Sequence, residues 1–213
     1  MVAILAYIAS YFVGAIPVGV LVARAKGVDI MSAGSGNIGA TNVGRVLGKK
    51  AGILVFILDI LKGVIPTVAV HFLGIAGEFG LSLVDQQVIC GVLAILGHML
   101  SPFLKFKGGK GIATGLGALL GTAPLIGLCA FGIFLLFFAL TRIVSLSSIL
   151  AVIGVVTMAA TVFPHGTLFL VVYSLVVLYV IIKHIPNIKR LMKGEEPRFE
   201  FKKESKSKQP EEP

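Results

Sequence analysis

Long apolar segments alternate with short polar connections along most of the chain. Five apolar runs stand out, at residues 2–23, 51–73, 86–104, 112–140 and 143–183. A helix that crosses a bilayer needs about 20 apolar residues, so each run is long enough for at least one span. The last run is interrupted at Pro164-His165-Gly166, and its two parts have the lengths of separate spans. The pattern predicts an all-α polytopic membrane protein.

Composition agrees with this prediction. Of the 213 residues, 56% are hydrophobic and 14% are charged, which is unusual for a soluble domain. The first run carries no Lys or Arg before Arg24, which argues against a cleaved signal peptide and favours an N-terminus outside. Cys90 and Cys129 lie in apolar runs without ligand-type neighbours, so they predict neither a disulfide nor a metal site.

Apart from Lys62, which lies inside the second run, the basic residues occur in alternate connections between the runs. Connections 74–84 and 164–166 contain no Lys or Arg. The Lys and Arg residues lie instead near 24–26, 45–50 and 105–110, at 142 and from 183 onward. Because basic connections stay in the cytoplasm, the net charge of +9 reflects membrane orientation and gives no reason to expect nucleic acid.

All basic connections share one side only if the run 112–140 breaks at Gly121-Thr122-Ala123-Pro124. As one helix its 29 residues would measure roughly 43 Å, more than a ~30 Å hydrocarbon core. We therefore predict seven transmembrane helices, with the N-terminus outside, the C-terminus in the cytoplasm and a short fourth helix. We expect one integral membrane domain over residues 1–200 and a charged, disordered cytoplasmic tail over 201–213.

A glycine-rich segment, residues 32–45, lies in the loop after the first span. The spacing of Gly34, Gly36 and Gly39 is that of a dinucleotide-binding fingerprint, but that fold needs a β-sheet, which the apolar pattern excludes. These glycines could instead free backbone N–H groups for an oxyanion. The side-chain donors nearby are Ser35, Asn37, Thr41, Asn42 and Arg45. The alternative is a flexible loop with incidental polar residues.

The second segment is FKGGKGIAT, residues 106–114, at the start of the short fourth helix. It lacks the spacing of a P-loop, yet it combines two cations and a glycine run with a helix N-terminus, which together suit a phosphate. The candidate phosphate-binding residues are Lys107, Gly108, Gly109, Lys110 and Gly111. The alternative is a cluster of cations that serves topology alone.

The third segment, residues 184–196, begins where the last span leaves the membrane. His184 and Asn187 would share a face if a helix continued there, although Pro186 opposes its continuation. His98, at the end of the third span, either supports the same site or hydrogen-bonds a loop. The chain has no Asp-rich motif, no His followed after four residues by Asp and no Gly-x-Ser-x-Gly elbow. We predict neither a metal nor a cofactor.

Together these motifs resemble those of the bacterial acyl-phosphate-dependent glycerol-3-phosphate acyltransferases, the PlsY family. The resemblance rests on GSGNIGATN with Arg45, on His98 followed by FKGGKGIAT, and on His184-x-x-Asn187 continued to Glu196, and it covers about residues 1–200. It implies transfer of a fatty acyl group from acyl phosphate to the 1-hydroxyl of sn-glycerol 3-phosphate, which yields lysophosphatidic acid and phosphate.

The resemblance also implies residue roles, partners and a location. The catalytic residues that it implies are Ser35, Arg45, His184 and Asn187. The loop from Lys107 to Gly111 is associated with glycerol 3-phosphate, and Glu196 with a structural role. The expected partners are the two substrates and the bilayer, with the enzyme that supplies acyl phosphate as a candidate protein partner. The expected location is the bacterial plasma (inner) membrane, with the active site at the cytoplasmic face.

Two positions depart from the family's pattern: Ser101 stands where Pro is common, and Ile185 follows His184 where Arg is frequent. A transporter or channel for a phosphorylated metabolite is the main alternative function, and a non-catalytic assembly protein is a third. Transporters place polar groups near the midplane, where only Asp59 and Lys62 are charged here, at the spacing of an ion pair. The sequence leaves open which loop holds which phosphate, and whether His184 or a substrate phosphate is the base.

Overall fold

The computed structural model describes residues 1–161 and 166–199. Within these residues all regular structure is helical, with ten α-helices and two short 3₁₀ segments, Glu78–Gly80 and Pro102–Leu104. The α-helices are α1 (Val2–Ala15), α2 (Val18–Arg24), α3 (Ala40–Leu47), α4 (Lys49–Leu73), α5 (Leu83–Met99), α6 (Ile112–Thr122), α7 (Pro124–Thr141), α8 (Val144–Thr161), α9 (Thr167–Lys183) and α10 (Ile185–Met192).

Five helical segments of the described chain are long and apolar enough to cross a membrane. They are Val2–Arg24, Lys49–Leu73, Leu83–Leu104, Pro124–Thr141 and Val144–Thr161. Helices α9 and α10 meet at a bend of 55° and would form a sixth span if taken together. Helix α6 is apolar but has only 11 residues. The all-helical, multi-pass prediction is confirmed, while the count of seven crossings and the orientation stay predictions.

The break predicted inside the run 112–140 is confirmed, because α6 ends at Thr122 and α7 begins at Pro124. Proline lacks an amide hydrogen and is therefore tolerated in the first turn of a helix, where that hydrogen would have no partner. Of the second predicted break, Pro164 and His165 lie outside the described residues, between the end of α8 and the start of α9. The tail predicted for 201–213 lies outside them as well.

The glycine-rich segment 32–45 is a loop only as far as Gly39, so the prediction of a loop over its whole length is wrong. Residues Ala40–Leu47 form α3, an amphipathic helix that buries Asn42 and Val43. A helix of eight residues has too few apolar positions to show a helical period in the sequence. Gly48, with a φ of 91°, separates α3 from α4.

Small residues let the central helices approach closely, as is common between membrane helices. A Cβ added to Gly117 on α6 would lie 2.0 Å from the carbonyl oxygen of Ile60 on α4. A Cβ on Gly97 of α5 would lie 2.1 Å from the carbonyl oxygen of Tyr11 on α1. These two glycines let α6 pack closely against α4, and α5 against α1.

The interruption between α1 and α2 is tied to the rest of the bundle by polar side chains. Lys62 Nζ donates to the carbonyl oxygen of Ile16 at 3.0 Å, next to Pro17. The hydroxyl of Ser101 donates to the carbonyl oxygen of Ala15 at 2.7 Å. Ser101, which departs from the family's pattern, thus satisfies a buried carbonyl group and joins the end of α5 to the first span.

The intramembrane ion pair predicted for Asp59 and Lys62 is confirmed. Lys62 Nζ lies 2.9 Å from Asp59 Oδ1, and the two side chains are only 5% and 3% exposed. The Nδ1 atom of His98 lies 3.8 Å from the same carboxylate oxygen. The charges therefore balance within the bundle, about 15 Å along α4 from its first residue.

Asp59→Asn is expected to lower the free energy of unfolding by about 3–5 kcal/mol, because it leaves the Lys62 ammonium buried without a counter-charge. Adding Lys62→Met to that variant should recover most of the loss, because no charge is then buried. Thermal unfolding of the detergent-solubilised proteins measures both effects. Equal stability of the single and double variants would contradict this account of the pair.

Candidate functional site

One cavity of about 1020 Å³ brings the three sequence motifs together. It lies at the end of the bundle where α3 and α6 begin and where α5 and α9 end. The predicted site residues that line it are Gly34, Ser35, Gly36, Asn37, Thr41, Asn42, Arg45, His98, Lys107, Gly108, Lys110, Gly111, His184, Asn187 and Glu196. Among the predicted residues, Gly109 alone is not part of the lining.

The first motif is held in shape by the side chain of Asn42, which is 2% exposed. Its amide oxygen accepts the N–H of Ser35 at 2.8 Å. Its amide nitrogen donates to the carbonyl oxygens of Ala33 at 3.0 Å and Asn37 at 2.9 Å. The hydrogen bonds of the Asn42 amide therefore hold the loop over the first turn of α3. These contacts give Asn42 a role in positioning the loop, and its predicted contact with phosphate stays a prediction.

The glycines of this loop shape the backbone more than they free its amides. The N–H of Gly36 donates to the carbonyl oxygen of Ala33 at 3.0 Å, and the predicted contact of Gly36 with phosphate stays a prediction. Gly34 has a φ of 59°, and a Cβ there would lie 2.3 Å from Asn42 Oδ1. The polar side chains of this motif that line the cavity, besides Asn42, are Ser35, Asn37, Thr41 and Arg45. Within the described residues, Arg45 has no carboxylate within ion-pair distance.

The second motif is packed directly on the end of α5. The N–H groups of Gly108 and Gly109 donate to the carbonyl oxygens of Met99 at 3.2 Å and His98 at 3.1 Å. A Cβ on Gly108 would lie 2.0 Å from the carbonyl oxygen of His98. Both amide N–H groups therefore have partners within the protein, and phosphate binding by this loop stays a prediction. Glycine is required here because the loop touches α5 too closely for any side chain.

His98 has a supporting position under this loop. Its side chain is 5% exposed, and a Cβ added to Gly109 would lie 2.2 Å from its Nε2 atom. His98 therefore sits between the second motif and Asp59. The N-terminal end of α6 remains the part of this motif with unpaired amides, because the first N–H groups of a helix have no partner within it.

The third motif is linked to the second through a network of polar side chains. Lys110 Nζ donates to the amide oxygen of Asn187, which is 8% exposed. The amide nitrogen of Asn187 donates to Glu196 Oε1 at 2.6 Å, and the hydroxyl of Ser145 donates to the same oxygen at 2.7 Å. Arg190 Nε donates to Glu196 Oε2 at 2.7 Å. Glu196 thus joins the last segment to α8 and accepts a hydrogen bond that orients Asn187.

The surroundings shift the acidity of two groups in this network. Burial lowers the pKa of the Lys110 ammonium to about 8, with Arg190 adding to the effect and Glu196 opposing it. Burial by itself would raise the pKa of Glu196, but the hydrogen bonds from Asn187, Ser145 and Arg190 hold it below its usual value. Near neutral pH the site therefore combines a carboxylate with a lysine that is protonated but close to its titration range.

His184 is oriented by the end of α9. Its side chain is 2% exposed, and its Nδ1 atom lies 2.8 Å from the carbonyl oxygen of Val180. A carbonyl oxygen only accepts, so Nδ1 carries the hydrogen, and in the neutral ring the lone pair is on Nε2. Pro186, expected to oppose a helix after His184, lies instead in the first turn of α10, where proline is favoured. His184 and Asn187 consequently line the same cavity.

Away from the polar groups, the cavity continues between α6, α7, α8 and α9 with apolar walls. Its sides include Leu116, Phe131, Val152 and Val177. At its polar end, the lining contains five cations, Arg45, Lys107, Lys110, Lys183 and Arg190, and two carboxylates, Asp59 and Glu196. Because both carboxylates have cationic partners, the polar end favours anions, and the remainder favours a hydrocarbon chain.

Several site residues were not singled out by the sequence. Arg190 lies within the third motif, but nothing in the sequence pairs it with Glu196 in preference to neighbouring Lys189. Ser145 lies 51 residues before Glu196 and shows only as a serine at the start of an apolar run. Lys183 was attributed to membrane orientation. The sequence also does not identify the residues of the apolar walls, because residues that face lipid and residues that face a cavity are equally hydrophobic in a membrane protein.

Comparison with known proteins identifies relatives over almost the whole chain. The family model for glycerol-3-phosphate acyltransferase matches residues 4–194. The glycerol-3-phosphate acyltransferase of Bacillus subtilis (strain 168) is 43% identical over 202 residues, which cover 94% of this chain and 100% of that protein. The protein of that description from Aquifex aeolicus (strain VF5) is 42% identical over 204 residues, which cover 93% and 100%.

Solved structures identify the same family. A crystal structure of PlsY, described as an integral membrane glycerol 3-phosphate acyltransferase in its glycerol 3-phosphate form, has a TM-score of 0.85 at 39% identity and covers 93% of this chain and 96% of that chain. The lysophosphatidic acid form has a TM-score of 0.82 at the same identity, with 93% and 95% covered. With its three motifs gathered around one cavity and this extent of similarity, the chain belongs to the PlsY family of integral membrane glycerol-3-phosphate acyltransferases.

Proposed function

We propose that this protein transfers a fatty acyl group from acyl phosphate to the 1-hydroxyl of sn-glycerol 3-phosphate, and releases 1-acyl-sn-glycerol 3-phosphate and phosphate. The observation that carries the proposal is the division of one cavity into a cationic end and an apolar end. A polar phosphate ester and a lipid chain with a phosphate head need these two environments side by side. The solved relatives are described in forms with glycerol 3-phosphate and lysophosphatidic acid, the acceptor and product proposed here.

The acceptor is proposed to bind at the second motif. Lys107 and Lys110 supply positive charge at the entrance to α6, whose first N–H groups are unpaired and carry the positive end of the helix dipole. A phosphate is well suited to such a helix N-terminus. The contact from Lys110 to Asn187 would then bring the acceptor's glycerol close to the third motif.

The donor is proposed to bind with its phosphate at the first motif and its chain between the helices. Ser35 and Asn37 are hydrogen-bond donors there, and the guanidinium of Arg45 can bind a phosphate in a bidentate manner. Both phosphates would lie at the same end of the bundle, and the acyl carbonyl group of the donor would lie between them. In this proposal each phosphate binds to a different motif.

The proposed chemistry is a single displacement. The 1-hydroxyl oxygen of glycerol 3-phosphate attacks the acyl carbonyl carbon, the new ester bond forms, and the bond from that carbon to the phosphate oxygen breaks. Acyl phosphate is a mixed anhydride with a good leaving group, so catalysis can rest on positioning and charge stabilisation. The hydroxyl proton passes to Nε2 of His184, with a phosphate oxygen of the donor as the alternative acceptor.

The proposal includes a location. The active site would lie at the cytoplasmic face of a bacterial plasma membrane, because the basic connections gather at the end of the bundle that holds the cavity. Glycerol 3-phosphate would enter from the cytosol, and acyl phosphate from the membrane or from the enzyme that supplies it. The last step of that supply must be formation of a mixed anhydride from a fatty acyl group and phosphate.

A two-substrate assay tests the proposal. The protein purified in detergent should release phosphate and form lysophosphatidic acid when given acyl phosphate and glycerol 3-phosphate. Glycerol in place of glycerol 3-phosphate is the matched control and should yield no acylated product, since it lacks the phosphate that the cations bind. If both substrates bind without any product, the enzyme assignment fails and a transporter becomes the better explanation.

The deprotonation of Lys110 should appear in the pH dependence of the reaction. Above its pKa of about 8 the free enzyme loses a positive charge in the acceptor site, while a phosphate ester with a second pKa near 6 stays dianionic. We therefore expect kcat/KM for glycerol 3-phosphate to be highest below about pH 8 and to fall above it, by up to about tenfold per pH unit. Steady-state kinetics should show a flatter profile for Lys110→Arg. If kcat/KM falls equally with pH in the two proteins, Lys110 is not the group whose deprotonation lowers it.

A further inference from the structure

The apolar part of the cavity follows one face of α9 from its end towards its middle. Tyr173, Val176, Val177 and Val180 line the cavity at helical spacing and lead to His184. The eleven residues from His184 back to Tyr173 correspond to about 16 Å at 1.5 Å per residue. Tyr173 therefore marks the end of the cavity that is furthest from the proposed reaction centre.

Helix α8 gives an independent measure of the same depth. It begins at the polar end, where Ser145 contacts Glu196, and its lining residues continue through Ser148 and Ala151 to Val155. The ten residues from Ser145 to Val155 correspond to about 15 Å. Two helices that run in opposite directions thus place the far end of the cavity at the same distance from the network around Glu196.

This far end is closed by tightly packed side chains. Leu119, Ala130, Val155 and Tyr173 are its deepest lining residues, each no more than 6% exposed. They belong to one hydrophobic cluster that continues to Phe169, whose ring stacks on Tyr173 with centroids 4.4 Å apart. Phe169 is 1% exposed and, among the described residues, lies outside the cavity lining. A chain that reaches this point meets a packed core.

We propose that Leu119, Ala130, Val155 and Tyr173, the cavity floor, set the length of the acyl chain that this enzyme uses best. The inference rests on the proposed function, because it assumes that the donor's chain occupies the apolar cavity. Carbon–carbon bonds of about 1.5 Å zigzag along an extended chain, so each carbon advances the chain by about 1.25 Å, and a depth of about 15 Å accommodates roughly a dozen carbons. Carbons beyond the floor must fold back or leave the cavity between helices. Those carbons then contribute no binding free energy from burial.

The side chains of the floor make this length adjustable by substitution. Ala130 presents a single methyl group, so a phenylalanine there would fill space that the end of the chain needs. Leu119 is the opposite case, because alanine at that position would extend the cavity. Each methylene that gains or loses burial changes affinity by roughly fourfold, so a shift of two carbons is readily measured.

The experiment compares kcat/KM over saturated acyl phosphates from octanoyl to octadecanoyl. Ala130→Phe is expected to move the optimum to chains at least two carbons shorter, and to lower the ratio of octadecanoyl to decanoyl transfer by roughly tenfold or more. Leu119→Ala should move the optimum in the opposite direction. Leu128→Phe is the matched control. Leu128 lies on the same helix as Ala130 but is 58% exposed on the outer surface, so the chain-length profile of this variant should equal that of the wild type.

Wild-type profiles in both Ala130→Phe and Leu119→Ala would overturn the inference. Thermal unfolding in detergent identifies a variant that has lost its fold; if Ala130→Phe is one, an unchanged profile in Leu119→Ala is sufficient to overturn it. A wild-type protein that is inactive with every donor in the series would instead overturn the proposed function, and this inference with it. The two failures are therefore distinguishable. If only the inference about the cavity floor is wrong, the wild type is active and neither substitution changes its chain-length preference.

Discussion

His184→Gln is expected to lower kcat by about 10²–10⁴-fold, the usual contribution of a general base. The bond from His184 Nδ1 to the carbonyl oxygen of Val180 leaves Nε2 to accept the hydroxyl proton. Glutamine keeps a polar side chain of similar reach but has no basic nitrogen. Because no charge in the phosphate sites is removed, KM for glycerol 3-phosphate should change by much less than kcat.

His71→Gln is the matched control for this variant, because His71 lies near the far end of α4 and outside the cavity lining. It should retain activity close to that of the wild type. Steady-state kinetics of the purified proteins measure both effects. Near-normal turnover of His184→Gln would exclude His184 as the base and leave a phosphate oxygen of the donor as the proton acceptor.

Gly108→Ala is expected to reduce kcat/KM for glycerol 3-phosphate by roughly a hundredfold or more. The added Cβ would lie 2.0 Å from the carbonyl oxygen of His98. Neither a Cβ atom nor a backbone oxygen can rotate out of the way. The loop must therefore move off α5, and Lys107 and Lys110 move with it. A displacement of about 1 Å in a substrate-positioning group can by itself cost about 10²-fold.

Gly132→Ala on α7 is the control for this change, since a Cβ there has no neighbour within 4 Å. It should leave both activity and thermal unfolding unchanged. Gly108→Ala should unfold at a temperature not far below that of the wild type, because the helices that form the bundle are untouched. If it retains activity within about threefold, the close contact with α5 does not position the phosphate-binding lysines.

Much of the architecture could be predicted from the order of apolar and polar residues. The break before Pro124 followed from the length of the run and the side on which Arg142 had to lie. The pairing of Asp59 with Lys62 followed from their spacing in an apolar helix, where an unpaired charge is costly. By contrast α3 was missed, since its eight residues mix glycine, polar and apolar positions without a recognisable period.

The candidate site was predictable at the level of motifs and less so at the level of contacts. All three motifs line one cavity, as the topology required. The glycines of the second motif, however, were expected to expose N–H groups, and two of those groups bond to carbonyl oxygens at the end of α5. Sequence spacing shows that the backbone can approach another group closely, but not whether that group is a ligand or the protein itself.

By itself, the sequence determined the helical class, the main breaks between spans and the clustering of the three motifs, because hydrophobic length and the placement of cations act locally along the chain. The tertiary structure decided which hydrogen-bonding groups remain free, how Glu196 joins three segments, and where the apolar cavity ends. Those properties depend on contacts between residues far apart in the chain. In a bilayer they leave little trace in the hydrophobic pattern, because lipid, core and acyl chain favour the same side chains.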